Sequence, residues 1–192
     1  MSLGLGGGVC GWLWPAFLVV FVLVQPMSAQ WQNEDVGDVP YIPTPPEVVE
    51  AMLKLAQVNS GDVLYDLGCG DGRIVITAAM QYEARSVGID INPKRIKEGE
   101  ANAREKGVAN KVRFLEENLF EADFHQATVV TLHLLPEVNL RLRPILLGQL
   151  KVGARVVSHS FDLGDWAPDK KIQIEGRTLY LWTVTEKAKS DH

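Results

Sequence analysis

Two aspartates and three glycines carry the first chemical signal in this sequence. Asp66-Leu67-Gly68-Cys69-Gly70-Asp71-Gly72 follows a short apolar run at residues 63–65, and Ile74 opens another apolar stretch. Apolar residues that pass through glycines into a further apolar run predict a strand, a tight turn and a helix. Glycines in such a turn leave bare backbone for a ligand to approach, and the amides at the helix start point toward it. The spacing Gly-x-Gly-x-Gly is neither the dinucleotide Gly-x-Gly-x-x-Gly nor the phosphate loop, and no lysine follows to meet a triphosphate. Asp66 before the turn and Asp71 within it suit a ligand bearing hydroxyls, amines or positive charge. A second strand-like run, residues 86–90, ends in Asp90, 24 positions after Asp66. A carboxylate at the tip of a neighbouring strand can take both hydroxyls of a ribose. Taken alone, the glycines also fit a strand–helix turn that binds nothing.

These residues need a frame. Tyr41-Ile42-Pro43-Thr44-Pro45-Pro46-Glu47 opens the domain, with Thr44 as the expected N-cap, Pro45 at the first helical position and Glu47 completing a Thr-x-x-Glu capping box. Helices are predicted from about residue 72 to 82 and from Pro93, capped by Asn92, to a stop at Gly107. Residues 112–115 read as the third strand and the continuous apolar run 127–132 as a buried fourth. The long helix that follows contains Pro144, which is expected to kink or divide it. Residues 154–160 form the fifth strand. Two alternating runs, 171–175 and 178–185, form a hairpin around Glu175-Gly176-Arg177. Alternating strands and helices closed by a hairpin predict an α/β fold: a Rossmann-like, doubly wound, seven-stranded sheet with an antiparallel C-terminal pair.

A chain of 192 residues is long enough for one domain with a substantial core. The net charge of −5 gives no basic footprint, so no nucleic-acid partner is expected. Arg141 and Arg143 read as a solvated helix face. Cys10 and Cys69 imply no disulfide framework, and no metal is expected. Residues 1–29 read as a signal or membrane anchor outside the domain. Positions 9–24 are almost wholly apolar and no charge precedes Glu34. Cleavage near residue 29 and a retained anchor both fit, although no Lys or Arg precedes the apolar run. Residues 30–40 read as a linker, 41–187 as the domain and 188–192 as a polar tail.

Asp66-x-Gly68-x-Gly70-x-Gly72 followed by Asp90 resembles the first two motifs of class I S-adenosylmethionine-dependent methyltransferases. The resemblance spans roughly residues 40 to 185. Tyr41-Ile42-Pro43, the extended turn through Arg73-Ile74-Val75 and Trp166-Ala167-Pro168-Asp169 narrow it. Together with the hydrophobic N-terminus, they are similar to the membrane-anchored protein-lysine methyltransferases of mitochondria. Those enzymes modify the ATP synthase c-subunit and the adenine nucleotide translocase, and they have bacterial relatives. The resemblance implies S-adenosylmethionine as cofactor. It would be held by Asp66, Gly68, Cys69, Gly70, Asp71 and Gly72 at the turn, and by Asp90 and Ile91 at the second strand's end. Asn118 is implied to meet the adenine amino group and the Leu119 N–H to meet the ring. Asn118 also reads as a plain turn residue. Tyr41 and Thr44 are expected over the cofactor.

Where many amino methyltransferases carry Asn/Asp-Pro-Pro-Tyr, this chain has His133-Leu134-Leu135-Pro136. That departure argues against DNA-adenine and glutamine acceptors. His133, at the carboxyl end of the fourth strand, lies where acceptors sit in this fold and is the candidate catalytic residue, with Tyr41 as the opposite wall. A strand-end histidine bonded to backbone is the plainer reading of His133. Asp162 and Asp165 are either an attraction for a cationic substrate or a solvated loop. The expected acceptor is a protein lysine at or near a membrane, and the expected assembly is a monomer. A small-molecule N- or O-methyltransferase and a non-catalytic S-adenosylmethionine-binding domain are the alternatives.

Overall fold

The computed structural model describes Met1 and residues 41–191. The expected anchor or signal at 1–29 and the linker at 30–40 lie outside the described residues, apart from Met1. One mixed sheet organises the rest. Its strands are β1 (Val63–Leu67), β2 (Arg85–Asp90), β3 (Val112–Glu116), β4 (Val129–Leu132), β5 (Arg155–His159), β6 (Lys170–Ile174) and β7 (Arg177–Thr183). Their spatial order is β3-β2-β1-β4-β5-β7-β6, parallel from β3 to β5, with β7 antiparallel to both neighbours. The chain leaves β1 toward β2 on one side and returns to β4 on the other. Strand order therefore reverses between β1 and β4, which opens a crevice at their carboxyl ends. This is the doubly wound seven-stranded sheet with a C-terminal hairpin that the sequence predicts.

The helices are α1 (Pro46–Leu55), α2 (Arg73–Gln81), α3 (Pro93–Glu105), α4 (Pro136–Gln149) and α5 (Glu186–Ser190). Alternate strand residues face opposite layers. Leu64, Val129 and Val157 pack with Val48 and Met52 of α1 and Val75 of α2. Tyr65, Val130 and Val156 pack with Val138, Leu142 and Leu146 of α4. Burying one large apolar side chain contributes about 1.5–3 kcal/mol. Trp182 is fully buried, and its indole N–H donates to the Trp166 carbonyl at 2.7 Å, so its polar end is satisfied too. At the amino ends of the strands, Asp62 accepts from Thr128 at 2.7 Å and pairs with Arg155, fastening β1, β4 and β5 together.

Four local expectations change. Thr44 does not cap α1: the N-cap is Pro45, without a side-chain bond, and the amides of Val48 and Val49 go to the Pro45 carbonyl. The buried Thr44 hydroxyl is turned to two histidines instead. Of the two outcomes expected at Pro144, a kink or a division, division does not occur: α4 runs through it as one helix. The carbonyl that Pro144 leaves without an intrahelical donor belongs to Leu140, on an exposed stretch of that helix. The fourth strand begins at Val129 rather than 127. Finally, residues expected as a polar tail belong to α5, which Thr185 caps by accepting from the Ala188 amide.

Phe114 of β3 lies where three glycines meet. A Cβ on Gly99 would come within 2.5 Å of its ring, one on Gly72 within 2.6 Å and one on Gly88 within 3.0 Å. Gly99→Val should therefore lower unfolding stability by about 1–3 kcal/mol through overpacking. Adding Phe114→Leu should recover part of that loss, as read by chemical denaturation of both variants.

Candidate functional site

A cavity of about 310 Å³ opens at the carboxyl edge, over the reversal between β1 and β4. The residues expected at the turn and the second strand end reach it: Asp66, Gly68, Cys69, Gly70, Asp71, Asp90 and Ile91. So do Asn118 and Leu119 after β3, His133 after β4, and Tyr41 and Thr44 from the N-terminal segment. Gly72 is not in the lining. Its φ of 79° makes the turn into α2, and the space at its Cα is closed by Phe114 and by the Gly99 backbone. Its role is conformational.

The turn is held by Asp90. One of its oxygens accepts from the Gly70 amide at 2.9 Å, and the other accepts from the Asn92 amide at 2.9 Å. Each carboxylate oxygen retains a further lone pair for a ligand hydroxyl. Gly68 and Gly70 have φ of 83° and 52°. A Cβ on Gly68 would meet Leu134 at 2.7 Å, and one on Gly70 would meet the Tyr41 ring at 2.5 Å. Side chains there would fill the cradle. Cys69 is buried between them, and that burial pushes its thiol well above the usual range, so it fills space as a neutral group.

Asp66 sits beneath the turn, 2% exposed, and accepts from the Thr131 hydroxyl at 2.7 Å. Burial pushes its carboxyl up to about 7; the Thr131 bond opposes that rise, and the charges of Asp90 and Asp71 add to it. Asp71 goes the other way. Burial works against its ionisation, but the hydrogen bonds and charge of Arg73 outweigh it and hold the carboxyl low. Arg73 meets Asp71 at 2.6 and 2.9 Å, donates to the Thr44 carbonyl at 2.9 Å and reaches the Tyr41 hydroxyl at 3.4 Å. It clasps the N-terminal segment to the turn. Above, the Arg95 guanidinium lies 4.2 Å from the centre of the Tyr41 ring, a cation–π contact. Burial, and next the Asp71 charge, push the Tyr41 hydroxyl up, so Tyr41 is neutral.

Asn118 makes a local turn as well as lining the cavity. Its side-chain oxygen accepts from the Phe120 amide at 3.1 Å, and its amide donates to Glu121 at 3.2 Å. His133 has a backbone partner, as the plainer reading expects, but it is Ile42 of the N-terminal segment. The His133 Nδ1 is 2.9 Å from the Thr44 hydroxyl, and its ring stacks on His159, with centroids 3.9 Å apart. Burial, and then the Arg177 charge, lower the basicity of His133, partly offset by the Ile42 backbone. His159 is pushed down to about 4 by burial, His133 and Arg177. Sequence reasoning missed Arg73, Arg95, Thr131 and His159. Thr131 and His159 face strand neighbours far away in sequence, so only the register reveals them. Among the described residues no group of His, Cys, Asp or Glu is placed to hold a metal ion.

The donor set matches a ligand that carries a ribose and a positive charge. Asp90 can receive hydroxyls, the glycine backbone admits close approach, and buried Asp66 offers a carboxylate to a cation. These are the features of S-adenosylmethionine.

Comparison with known proteins agrees. Residues 66–170 match the ANTKMT methyltransferase domain model. The chain is 46% identical over 156 residues to a protein-lysine N-methyltransferase of Saccharolobus islandicus, covering 79% of this chain and 97% of that protein. It is 33% identical over 130 residues to the adenine nucleotide translocase lysine N-methyltransferase of Mus musculus, covering 68% of this chain and 56% of that protein. It thus spans about half the length of this mouse relative. Among solved structures, one described as an RNA methyltransferase from Salinibacter ruber, in complex with S-adenosyl-L-homocysteine, superposes with a TM-score of 0.75 at 58% identity. That match covers 76% of this chain and 95% of the other.

Two binding outcomes test this site. Asp90→Ala removes the carboxylate expected to meet the ribose and releases the Gly70 and Asn92 amides. Calorimetry should show donor affinity falling about ten- to a hundredfold. Asp66 sets a pH dependence. In the free domain it keeps its proton up to about 7, whereas its ordinary value is 3.8. Its stabilising contribution is therefore full below about pH 4 and fades as pH rises toward 7. A cationic ligand favours the ionised form, so donor affinity should rise with pH through about 7, with a proton released on binding below it. Asp66→Asn should flatten both the affinity profile and the proton release. Sheet topology, cradle chemistry and similarity over most of the domain converge: this chain belongs to the ANTKMT methyltransferase domain family, and its methyl donor is S-adenosylmethionine.

Proposed function

We propose that this protein transfers the methyl group of S-adenosylmethionine to a lysine amine of a protein substrate. The observation that carries the reading is the similarity to the archaeal protein-lysine N-methyltransferase along 97% of that protein's length. The vertebrate relatives, also described as lysine N-methyltransferases, point the same way.

S-adenosylmethionine supplies the electrophile, a methyl carried on a sulfonium. The protein's share is to admit an uncharged nucleophile to about 3–3.5 Å from that methyl, in line with the leaving sulfur. A carbon–nitrogen bond then forms as the carbon–sulfur bond breaks, S-adenosylhomocysteine leaves, and the amine's surplus proton goes to water. A lysine must arrive neutral, and burial in an apolar channel favours that form. The acceptor half of the cavity supplies such walls in Leu134, Val138, Ile42 and Phe120, with His133, Tyr41 and Arg141, whose guanidinium lies 3.9 Å over the Phe120 ring, among its polar members.

The Salinibacter structure favours a second reading, transfer to RNA. We give the lysine reading precedence because the archaeal and vertebrate relatives agree on it. The net charge of −5 also offers little attraction to a phosphate backbone. We further propose that the apolar residues 9–24 tether the protein to a membrane, with the domain facing a compartment that holds S-adenosylmethionine. The support is the composition of that run and the need for a cofactor made inside cells.

Incubating a lysate of the host lacking this gene with the enzyme and tritium-methyl donor should give label that protease removes and RNase does not. Hydrolysis of the labelled protein should yield methyl-lysine. Label removed by RNase, or found only in small molecules, overturns the reading. The rate should also climb about tenfold per pH unit below the lysine value near 10.4, following the neutral amine. For the tether, fractionation of the host should leave the full-length chain in the membrane pellet. A soluble form beginning near Gln30 would refute it.

A further inference from the structure

The Thr44 hydroxyl lies between two imidazoles, 2.9 Å from His133 Nδ1 and 3.3 Å from His159 Nδ1. The rings meet because Leu132 of β4 pairs with Ser158 of β5, which brings the next residue of each strand side by side. They stack at 3.9 Å with 30° between their planes. A threonine hydroxyl has one hydrogen to give. It can donate to one Nδ1 only, and the other Nδ1 must bring its own. The hydroxyl oxygen could accept from both rings, but Thr44 is buried and among the described residues its hydrogen meets no acceptor other than these two nitrogens, so one ring receives it and the two neutral rings hold opposite tautomers.

The far side of His159 decides which ring is which. Its Nε2 is buried and meets no hydrogen-bonding partner among the described residues, and the residue is 2% exposed. A proton on that nitrogen would be a buried donor with nothing to receive it, an arrangement proteins rarely keep. A proton on Nδ1 has the Thr44 oxygen. His159 thus donates from Nδ1 to Thr44, and Thr44 donates to His133 Nδ1. His133 must carry its own proton on Nε2, and the Ile42 backbone next to this ring also favours a bound proton. Both rings are neutral, since burial comes first among the effects that lower their basicity and the Arg177 guanidinium lowers it further. Each also faces the other ring, which penalises a charge on either.

We infer that His133 presents an N–H to the acceptor half of the cavity, where it grips a carbonyl oxygen of the substrate polypeptide. It is a binding residue rather than the base that removes the amine's proton, and Thr44 and His159 are positioning residues that set its tautomer. The chemistry is direct. A nitrogen that already carries hydrogen cannot take a proton from an ammonium, and its positive end turns a charged lysine away. Toward a neutral amine it would tie up the lone pair needed for attack. Its productive partner is therefore an oxygen beside the amine, and a main-chain carbonyl of the substrate is the acceptor that every protein offers. The proposal rests on the protein-lysine reading only for the identity of that oxygen; the tautomer assignment stands without it.

Nitrogen-15 spectra of the imidazoles in the full chain test the tautomers directly. The expected result is His133 as the Nε2–H form and His159 as the Nδ1–H form near neutral pH. His133 found as Nδ1–H overturns the proposal. The role is tested with a mixed pool of lysine peptides as acceptor, reading methyl-lysine formed. His133→Gln keeps an amide donor near the place of Nε2 and has no basicity. It should lose about tenfold or less, while His133→Leu should lose substantially more, with the rise of rate with pH unchanged in both. If His133→Gln falls as far as His133→Leu, by the factor of 10² to 10⁴ typical of a lost general base, the donor role is wrong. Circular dichroism and donor binding of each variant separate these outcomes from misfolding. A wild-type protein that leaves lysine peptides unmethylated would count against the function above, while the spectra still decide the tautomers.

Discussion

The carboxylate of Asp90 is the fastening on which the site depends. It gathers the amide of Gly70, from the turn after β1, and the amide of Asn92, from the start of α3. Two segments that leave neighbouring strands are thereby drawn to one point. Its glycines restrict themselves little and lose much freedom on ordering, so the turn needs such restraints, and the Ile89 carbonyl, which accepts from the Gly68 and Cys69 amides, adds to the hold of Asp90. A negative charge that organises backbone donors is also the charge best placed to greet hydroxyls, so scaffold and recognition share one group. This explains why an acidic residue ends the second strand although no side chain there is needed for the core.

Much of this was legible from spacing alone. Strand, glycine turn and helix follow one another within a dozen residues, so Asp66, Gly68 and Gly70 fall into place by local rules. Asp90 was legible because a parallel neighbour must end level with β1. The hairpin of β6 and β7 announced itself by alternation around Gly176. What local rules cannot see is competition from afar. Thr44 has the look of a helix cap, but its hydroxyl has partners 89 and 115 positions away. Those partners are buried nitrogens that would otherwise lack a mate, and a helix end can be served by the Pro45 carbonyl and by water.

The same reasoning accounts for the other departures. Pro144 usually marks an end, but the apolar side of α4 at Leu142, Leu146 and Leu147 is buried continuously, and that packing holds the helix through the missing hydrogen bond. Residues 188–192 looked like tail because they are mostly polar, and 188–191 bury nothing fully. They close into a turn of helix because Thr185 caps it and Lys189 reaches the Leu150 carbonyl at the end of α4. Arg95 was invisible for a different reason: its stem is held on α3, and the ring it covers belongs to Tyr41, ahead of the first helix.

Arg73 has a consequence beyond geometry. One guanidinium ties the glycine turn, through Asp71, to the carbonyl of Thr44 and the hydroxyl of Tyr41. The segment at residues 41–44 and the glycine turn are thereby joined through one side chain. Whatever settles in the loop stabilises that segment by mass action, in proportion to the logarithm of its concentration over its dissociation constant. A ligand held in the turn would therefore also slow hydrogen exchange of the amides near Thr44.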